Sequence, residues 1–390
     1  MSILLNARLP HVSGLCCLEV VRNQLRSIMP MAKVAANAVH AIDLQGDWVS
    51  LGGVDLQING VLGLAFPDLR EPLELEKAAI FLWDQGVDAF TPTLVTAHPD
   101  DIRRSLAVMQ AYVAEGLNDP PDRAQVLGAH LEGPFLNPAK RGAHPQEHLQ
   151  PLSLSRVKDL LEPYVDVVKI VTLAPEMEAE SEVIPWLRSH DIVVSLGHSL
   201  STATQAQQAF DQGASMVTHA FNAMPGLHHR EPGLLGAALV HPRVFAGLIA
   251  DGRHVCPTML DLLLRSSRGR SHDAIGGLFL VSDALAPLGL PDGTYPWDNR
   301  TIDVKDGIAR LADGTLSGTT KPLLDGVKNL VKWGLCSVEE ALMMAVEMPR
   351  MAVGLPGLAP RQTAHLLRWQ FDGTSLSWQR ILEDESAGLR

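Results

Sequence analysis

From about residue 50 to about residue 345 the chain repeats one pattern: a short apolar run, a polar residue at its end, then a stretch of helical period. Val87-Asp88-Ala89-Phe90 closes in Thr91-Pro92-Thr93 and leads to a helical stretch from Pro99 to Glu115. Further runs lie at Ala124 to Leu131, Val165 to Leu173, Ile192 to Leu196, Ala214 to Val217, Ala246 to Ala250 and Leu278 to Val281. Helical sequence over Leu154 to Leu161, Glu180 to Ser189, Ser201 to Gln212 and Pro257 to Arg265 separates them. Runs that alternate with helices imply a parallel sheet. Counting from Val54 gives roughly eight strand–helix units, the number that closes a (β/α)8 barrel of TIM type. A doubly wound sheet fits less well. No G-x-G-x-x-G follows a strand, and the polar strand-end residues are spread over several units instead of meeting at one crevice.

The two ends of the chain read differently. Ile3-Leu4-Leu5, Cys16 to Val21 and Trp48-Val49 are short strands, as are His365 to Trp369 and Ser375 to Trp378 around the turn Asp372-Gly373-Thr374. Ser337, with Glu340 three residues on, has the form of a capping box opening a helix that runs to Val346. The expectation is one small β-sandwich domain built from residues 1–49 and 346–390, flanking a barrel over 50–345.

Composition narrows the function. A formal charge of −12 argues against general nucleic-acid binding, while leaving room for a locally positive pocket. Four cysteines without a C-x-x-C pair exclude a zinc knuckle or thioredoxin-type motif and fit a reducing, cytoplasmic setting. Neither a signal peptide nor a membrane span is expected.

The chemistry gathers at the strand ends. The run from Val126 to Leu131 ends in Glu132, that from Ile192 in His198 and that from Ala214 in His219. In a parallel barrel the strand C-termini converge on one face, so a carboxylate and two imidazoles are placed as a metal site requires. A lone histidine at a strand end is more often a hydrogen-bonded structural residue. Three such residues weaken that structural reading, and motif spacing is needed to decide. Asp283, after the last apolar run, could equally be a turn or cap residue.

The motifs around these residues are specific in combination. They are His130-Leu131-Glu132-Gly133-Pro134-Phe135, Lys140-Arg141-Gly142-Ala143-His144, Gly197-His198-Ser199, and Thr218-His219-Ala220-Phe221-Asn222-Ala223-Met224-Pro225. Arg230-Glu231-Pro232-Gly233, Asp251-Gly252-Arg253-His254, Val281-Ser282-Asp283-Ala284 and Leu316-Ser317-Gly318-Thr319 complete the set. Over roughly residues 40 to 355 the chain resembles the N-acetylglucosamine-6-phosphate deacetylase family of the amidohydrolase superfamily. The resemblance implies that Glu132, His198 and His219 bind a divalent metal, zinc or iron(II). It implies that Asp283 shuttles the proton and that His144 assists at the acetyl carbonyl. It implies substrate contacts from Ala143, His144, Asn222, Ala223, Arg230, His254, Leu316, Ser317 and Gly318, with Arg230 reaching the neighbouring subunit's site in a homodimer. His228 and His229 receive no role.

Two departures carry information. Many amidohydrolases place H-x-H at the end of the first barrel strand to hold a second metal. Gln57 and Asn59 stand there instead, and neutral amides are poor zinc ligands, so one metal per subunit is expected. The segments flanking the barrel, Leu51-Gly52-Gly53 and Pro360-Arg361-Gln362-Thr363-Ala364, also diverge from the usual pattern. The alternatives are another amidohydrolase, acting on a different N-acyl amino sugar or a cyclic amide, and a non-catalytic sugar-phosphate sensor.

Overall fold

The computed structural model describes residues 2–34, 41–268, 276–362, 365–381, 383–384 and 388–389. Eight parallel strands form the barrel: β1 (Gly53–Ile58), β2 (Val87–Val95), β3 (Ala129–Glu132), β4 (Val168–Leu173), β5 (Val193–Leu196), β6 (Met216–Val217), β7 (Phe245–Leu248) and β8 (Leu278–Leu280). The residues just beyond β8 return to β1. Asp283 N–H donates to Gln57 O at 2.9 Å and Asn59 N–H to Ala284 O at 2.7 Å. The barrel of TIM type that the alternating pattern predicts is therefore the fold.

One helix follows each strand: α1 (Pro72–Asp84), α2 (Pro99–Ala114), α3 (Leu154–Leu161), α4 (Val183–Ser189), α5 (Ala203–Asp211), α6 (Gly233–Val240), α7 (Pro257–Ser267) and α8 (Leu323–Lys332). Then come α9 (Val338–Ala345) and α10 (Glu347–Ala352). Local chemistry sets their starts. Proline, whose missing N–H costs nothing in the first turn, opens α1, α2 and α7. Reciprocal capping boxes pair Thr202 with Gln205 and Ser337 with Glu340. Helix α4 starts three residues later than the sequence suggests. The Glu178 carboxylate takes the N–H groups of Glu182 and Val183 at 2.7 and 2.8 Å and holds that stretch out of the helix.

The termini contribute β structure at the barrel's edge. Ser2–Ala7 pairs with Cys16–Val21 and Ala41–Asp43, and Gln24–Pro30 extends that sheet. Leu366–Phe371 pairs with Trp48–Leu51 and with Leu376–Arg380, across the turn anticipated at Asp372-Gly373-Thr374. Both ends of the chain thus build the small β region, as expected. Thr363 and Ala364 lie outside the described residues.

One element has no counterpart in the sequence reading. Between β8 and α8 a four-stranded antiparallel sheet is inserted, from Gly293–Trp297 through Arg300–Lys305 and Ile308–Leu311 to Leu316–Thr319. It has its own apolar cluster of Leu285, Trp297, Ile302, Val304 and Ala309. Along Arg300–Lys305, Ile302 and Val304 are buried while Thr301, Asp303 and Lys305 are exposed. That alternation marks a sheet wet on one face, unlike the continuous apolar runs of the barrel. Among the described residues no helix is long and apolar enough to cross a membrane.

Candidate active site

The barrel's C-terminal face opens into a cavity of about 680 Å³. Glu132, His198 and His219 meet at its floor, all buried. Glu132 Oε1 lies 3.1 Å from His198 Nε2 and 2.9 Å from His219 Nε2, and the two Nε2 atoms are 3.1 Å apart. Backbone geometry produces the convergence. His198 has φ +49°, His219 +25° and Asp283 +47°, so each turns out of line just beyond its strand. A non-glycine residue accepts such a φ at a cost of order 1 kcal/mol, and such strain concentrates at functional sites.

The donor set suits a divalent cation. His198 Nδ1 faces the Lys140 carbonyl at 2.8 Å, which puts its proton on Nδ1 and leaves the Nε2 lone pair directed at the cluster. Two imidazole nitrogens and one carboxylate oxygen are what zinc or iron(II) accepts with a coordination position to spare. Burial alone would raise the Glu132 pKa, but the hydrogen bonds and charges of the two imidazoles outweigh it and hold the carboxyl well below its usual range. Burial likewise opposes the protonated form of His219, and Glu132 overrides it in the other direction.

Asp283 faces this cluster from the opposite side. Its Oδ1 accepts from Asn59 Nδ2 at 2.8 Å and from Gln57 Nε2 at 3.3 Å. Gln57 Nε2 also donates to Glu132 Oε1 at 2.9 Å. The Gln57 amide on β1 therefore spans the two carboxylates as a donor, and the Asn59 amide just after the strand donates to Asp283 alone. Burial pushes the Asp283 carboxyl up to about 6, with the Glu132 charge adding to the effect. Gly318, expected to touch substrate, does not line the cavity. A Cβ on it would lie 2.7 Å from Asp283 O, so it is the glycine that lets the inserted sheet pass against Asp283.

His144 reaches the cavity from the loop after β3. Its Nδ1 receives Thr96 N–H at 3.3 Å and lies 2.9 Å from Thr96 Oγ1. A backbone N–H can only donate, so Nδ1 is the acceptor and Nε2 carries the proton, 4.0 Å from Glu132 Oε2. Burial pushes its pKa down to about 3, which keeps it a neutral donor. His254 lines the cavity with Nδ1 on Asp251 Oδ2 at 2.7 Å. Ala143, Asn222, Ala223, Leu316 and Ser317 line it as well. Arg230 does not: it sits on an exposed loop outside the cavity, next to His228 and His229, whose rings touch at a tilt of 42°.

Sequence reasoning passes over several residues that hold this site together. Thr96 orients His144, the Lys140 carbonyl orients His198, and Asp251 orients His254. Asp251 lies within a recognised motif, three residues from the histidine it holds, and that spacing was the available signal. Thr96 and Lys140 act through contacts between loops, which leave no local trace. The tip of the inserted sheet adds Trp297, Asp298 and Asn299 to the cavity wall.

A closed (β/α)8 barrel with a buried carboxylate–imidazole cluster and a facing aspartate at its strand ends defines a metal-dependent amidohydrolase of the amidohydrolase superfamily. The sequence matches no protein-family model. It is 39% identical over 325 residues to the N-acetylglucosamine-6-phosphate deacetylase of Homo sapiens, covering 80% of this chain and 76% of that protein. It is 34% identical over 305 residues to the N-acetylgalactosamine-6-phosphate deacetylase of Escherichia coli O157:H7, covering 78% of each. The crystal structure of N-acetylglucosamine-6-phosphate deacetylase from Pasteurella multocida superposes with a TM-score of 0.83 at 30% identity, covering 97% of this chain and 99% of that one. The chain belongs to the N-acetylglucosamine-6-phosphate deacetylase family.

Proposed function

We propose that this chain hydrolyses the acetamide bond of N-acetyl-D-glucosamine 6-phosphate to release acetate and D-glucosamine 6-phosphate. Glu132, His198 and His219 would hold one divalent cation per subunit, zinc or iron(II). When bound, that ion lowers the pKa of water towards about 7 and polarises the amide carbonyl. Asp283 takes a proton from the attacking water and delivers it to the nitrogen as the C–N bond breaks, so that a neutral amine departs. His144, as a neutral Nε2–H donor, meets the carbonyl oxygen as charge collects on it. His254, steadied by Asp251, and the Asn222-Ala223 turn hold the phosphate, which keeps the amide in register with Asp283.

Arg230, exposed and outside its own cavity, is the group a second copy would receive at its phosphate end, in a homodimer. Guanidinium suits that task because it donates to two phosphate oxygens in parallel. For the chain's organisation we propose a β domain of residues 1–49 and 346–390 and a catalytic barrel of residues 50–345, in a cytoplasmic enzyme with no nucleic-acid or membrane partner.

The observation that supports this reading most directly is the approach of Glu132 Oε1, His198 Nε2 and His219 Nε2 to within 3.1 Å of one another, opposite the Asp283 carboxylate. The test is elemental analysis coupled to an acetate-release assay. It compares N-acetylglucosamine 6-phosphate with its galacto epimer and with the unphosphorylated sugar. One equivalent of metal and fastest turnover of the phosphorylated gluco substrate are expected. Preference for the galacto epimer would reassign the substrate. Metal-loaded protein that binds the sugar phosphate but releases no acetate would make the chain a sensor.

A further inference from the structure

Barrel interiors of this type are usually filled by layers of Val, Ile and Leu. One layer beneath the Glu132, His198 and His219 side chains, this barrel is polar. Thr93 of β2, His130 of β3, Thr172 of β4, Ser195 of β5 and Thr218 just after β6 are all buried. They form one continuous belt. Ser195 Oγ and Thr218 Oγ1 are 2.6 Å apart, and Thr218 Oγ1 and Thr172 Oγ1 2.7 Å. Thr172 Oγ1 and His130 Nε2 are 2.8 Å apart, and His130 Nδ1 and Thr93 Oγ1 3.2 Å.

One orientation of the protons satisfies every link. Ser195 donates to Thr218, Thr218 to Thr172, and Thr172 to His130 Nε2. His130 Nδ1–H then donates to Thr93, whose hydroxyl ends on the Thr91 carbonyl at 3.3 Å. Buried hydroxyls left unpaired would cost about 1–3 kcal/mol each, so the belt holds as a unit or not at all. It also explains Gly197. A Cβ there would lie 2.8 Å from Thr218 Cβ and 3.0 Å from Thr172 Cγ2, so the residue before His198 must be small for the belt to close.

The belt's members are tied to the ligands by sequence. His130 is two residues before Glu132, Ser195 three before His198, and Thr218 immediately before His219. The main-chain ladder fixes the register of these strands. Directional hydrogen bonds between their side chains add a constraint on how the strand ends are turned and spaced that apolar side chains would not supply. We propose that this belt, which includes His130, is a positioning device that fixes the three metal-binding side chains relative to one another before the metal arrives. The inference rests on the metal reading of Glu132, His198 and His219, and assigns His130 a positioning role, not contact with substrate or metal.

The test uses the full-length protein and zinc as probe. Zinc affinity is measured by chelator competition for wild type, His130→Leu, His130→Gln and Thr172→Val, together with kcat, KM and thermal unfolding of the metal-free proteins. His130→Leu is expected to weaken zinc binding at least tenfold, the range seen when outer-shell partners are removed. Its kcat should fall and its KM stay near wild type. His130→Gln, which keeps a donor and an acceptor, should recover part of the loss. Thr172→Val should weaken zinc binding about threefold, and it decides the matter if His130→Leu does not fold. Zinc affinity within twofold of wild type in a folded belt variant overturns the proposal and leaves the belt a stability element only. Wild-type protein that takes up no zinc or iron(II) refutes the metal reading itself, and the belt's role falls with it.

Discussion

Two buried charge clusters sit at opposite ends of the same barrel, and they are built on opposite principles. At the lower end Asp88, near the start of β2, meets Arg350 Nη2 at 3.2 Å and Arg380 Nη1 at 3.0 Å, and accepts Gly52 N–H at 2.7 Å. Arg350 also donates to the Gly52 and Val346 carbonyls, and Arg380 stacks over Trp83 at 3.4 Å while donating to the Trp83 and Val87 carbonyls. At the upper end two carboxylates, Glu132 and Asp283, lie close together. Among the described residues no lysine or arginine side chain pairs with either. Imidazoles and amides are their partners. The lower cluster is neutralised by permanent cations and pins the C-terminal segment to the barrel. The upper one keeps its negative charge available, which is what a cation site and a proton acceptor both require.

Replacement of one group in each cluster should therefore have opposite consequences. The largest effect is expected for Asp283→Asn. Without a carboxylate to carry the proton, turnover should drop by about 10²–10⁴, with metal content unchanged on elemental analysis. Wild-type-like rates would remove Asp283 from the reaction. Next is Asp88→Asn, which removes the counter-ion shared by the buried Arg350 and the half-buried Arg380. Removal of one partner from a buried pair costs about 3–5 kcal/mol, measurable as a lower urea midpoint, while turnover of the protein that remains folded should be kept. Loss of turnover without loss of stability would erase the distinction between the clusters.

The third prediction concerns the sign of a stability change. A carboxyl whose folded-state pKa is raised from 3.8 to about 6 favours the folded state only while protonated. Stability is lost as pH rises from about 4 to about 6, as the unfolded chain ionises first and the buried group resists. At neutral pH the penalty is up to about 3 kcal/mol at 1.36 kcal/mol per pKa unit. Asp283→Asn removes it. The metal-free variant should be more stable than metal-free wild type at pH 7, and the two should converge at pH 4. Urea titrations at both pH values check this. The substitution that abolishes catalysis would then strengthen the fold, the reverse of Asp88→Asn.

How much of this was legible beforehand follows from the same contrast. Strands buried on both faces read as uninterrupted apolar runs, so the barrel was visible, and polar residues closing those runs marked Glu132, His198 and His219. The lower cluster was not visible. Asp88 is 262 residues from Arg350 and 292 from Arg380, and a contact between such distant residues has no local signature. The inserted sheet escapes the sequence pattern because its strands lack a continuous apolar run: along Arg300–Lys305 buried Ile302 and Val304 alternate with exposed polar residues. Gln57 and Asn59 stand out in the sequence as amides where many amidohydrolases have histidines, but that Gln57 bridges the two carboxylates and Asn59 holds Asp283 is visible only in three dimensions.

The smallest expected effect lies just beyond the upper end of the strand that carries Asp88. Thr96 directly follows β2 and meets His144 Nδ1 through both its backbone N–H and its hydroxyl. Thr96→Val keeps the backbone donor and the shape but removes the hydroxyl. One neutral hydrogen bond is worth about 0.5–1.5 kcal/mol. If that energy serves to hold the His144 Nε2–H towards the carbonyl oxygen, kcat should fall roughly two- to tenfold, since 1.36 kcal/mol is a factor of ten in rate. KM and the urea midpoint should barely move. A fall in stability with kcat unchanged would class Thr96 with the lower cluster's structural contacts. An unchanged variant would show that the backbone N–H alone fixes the tautomer.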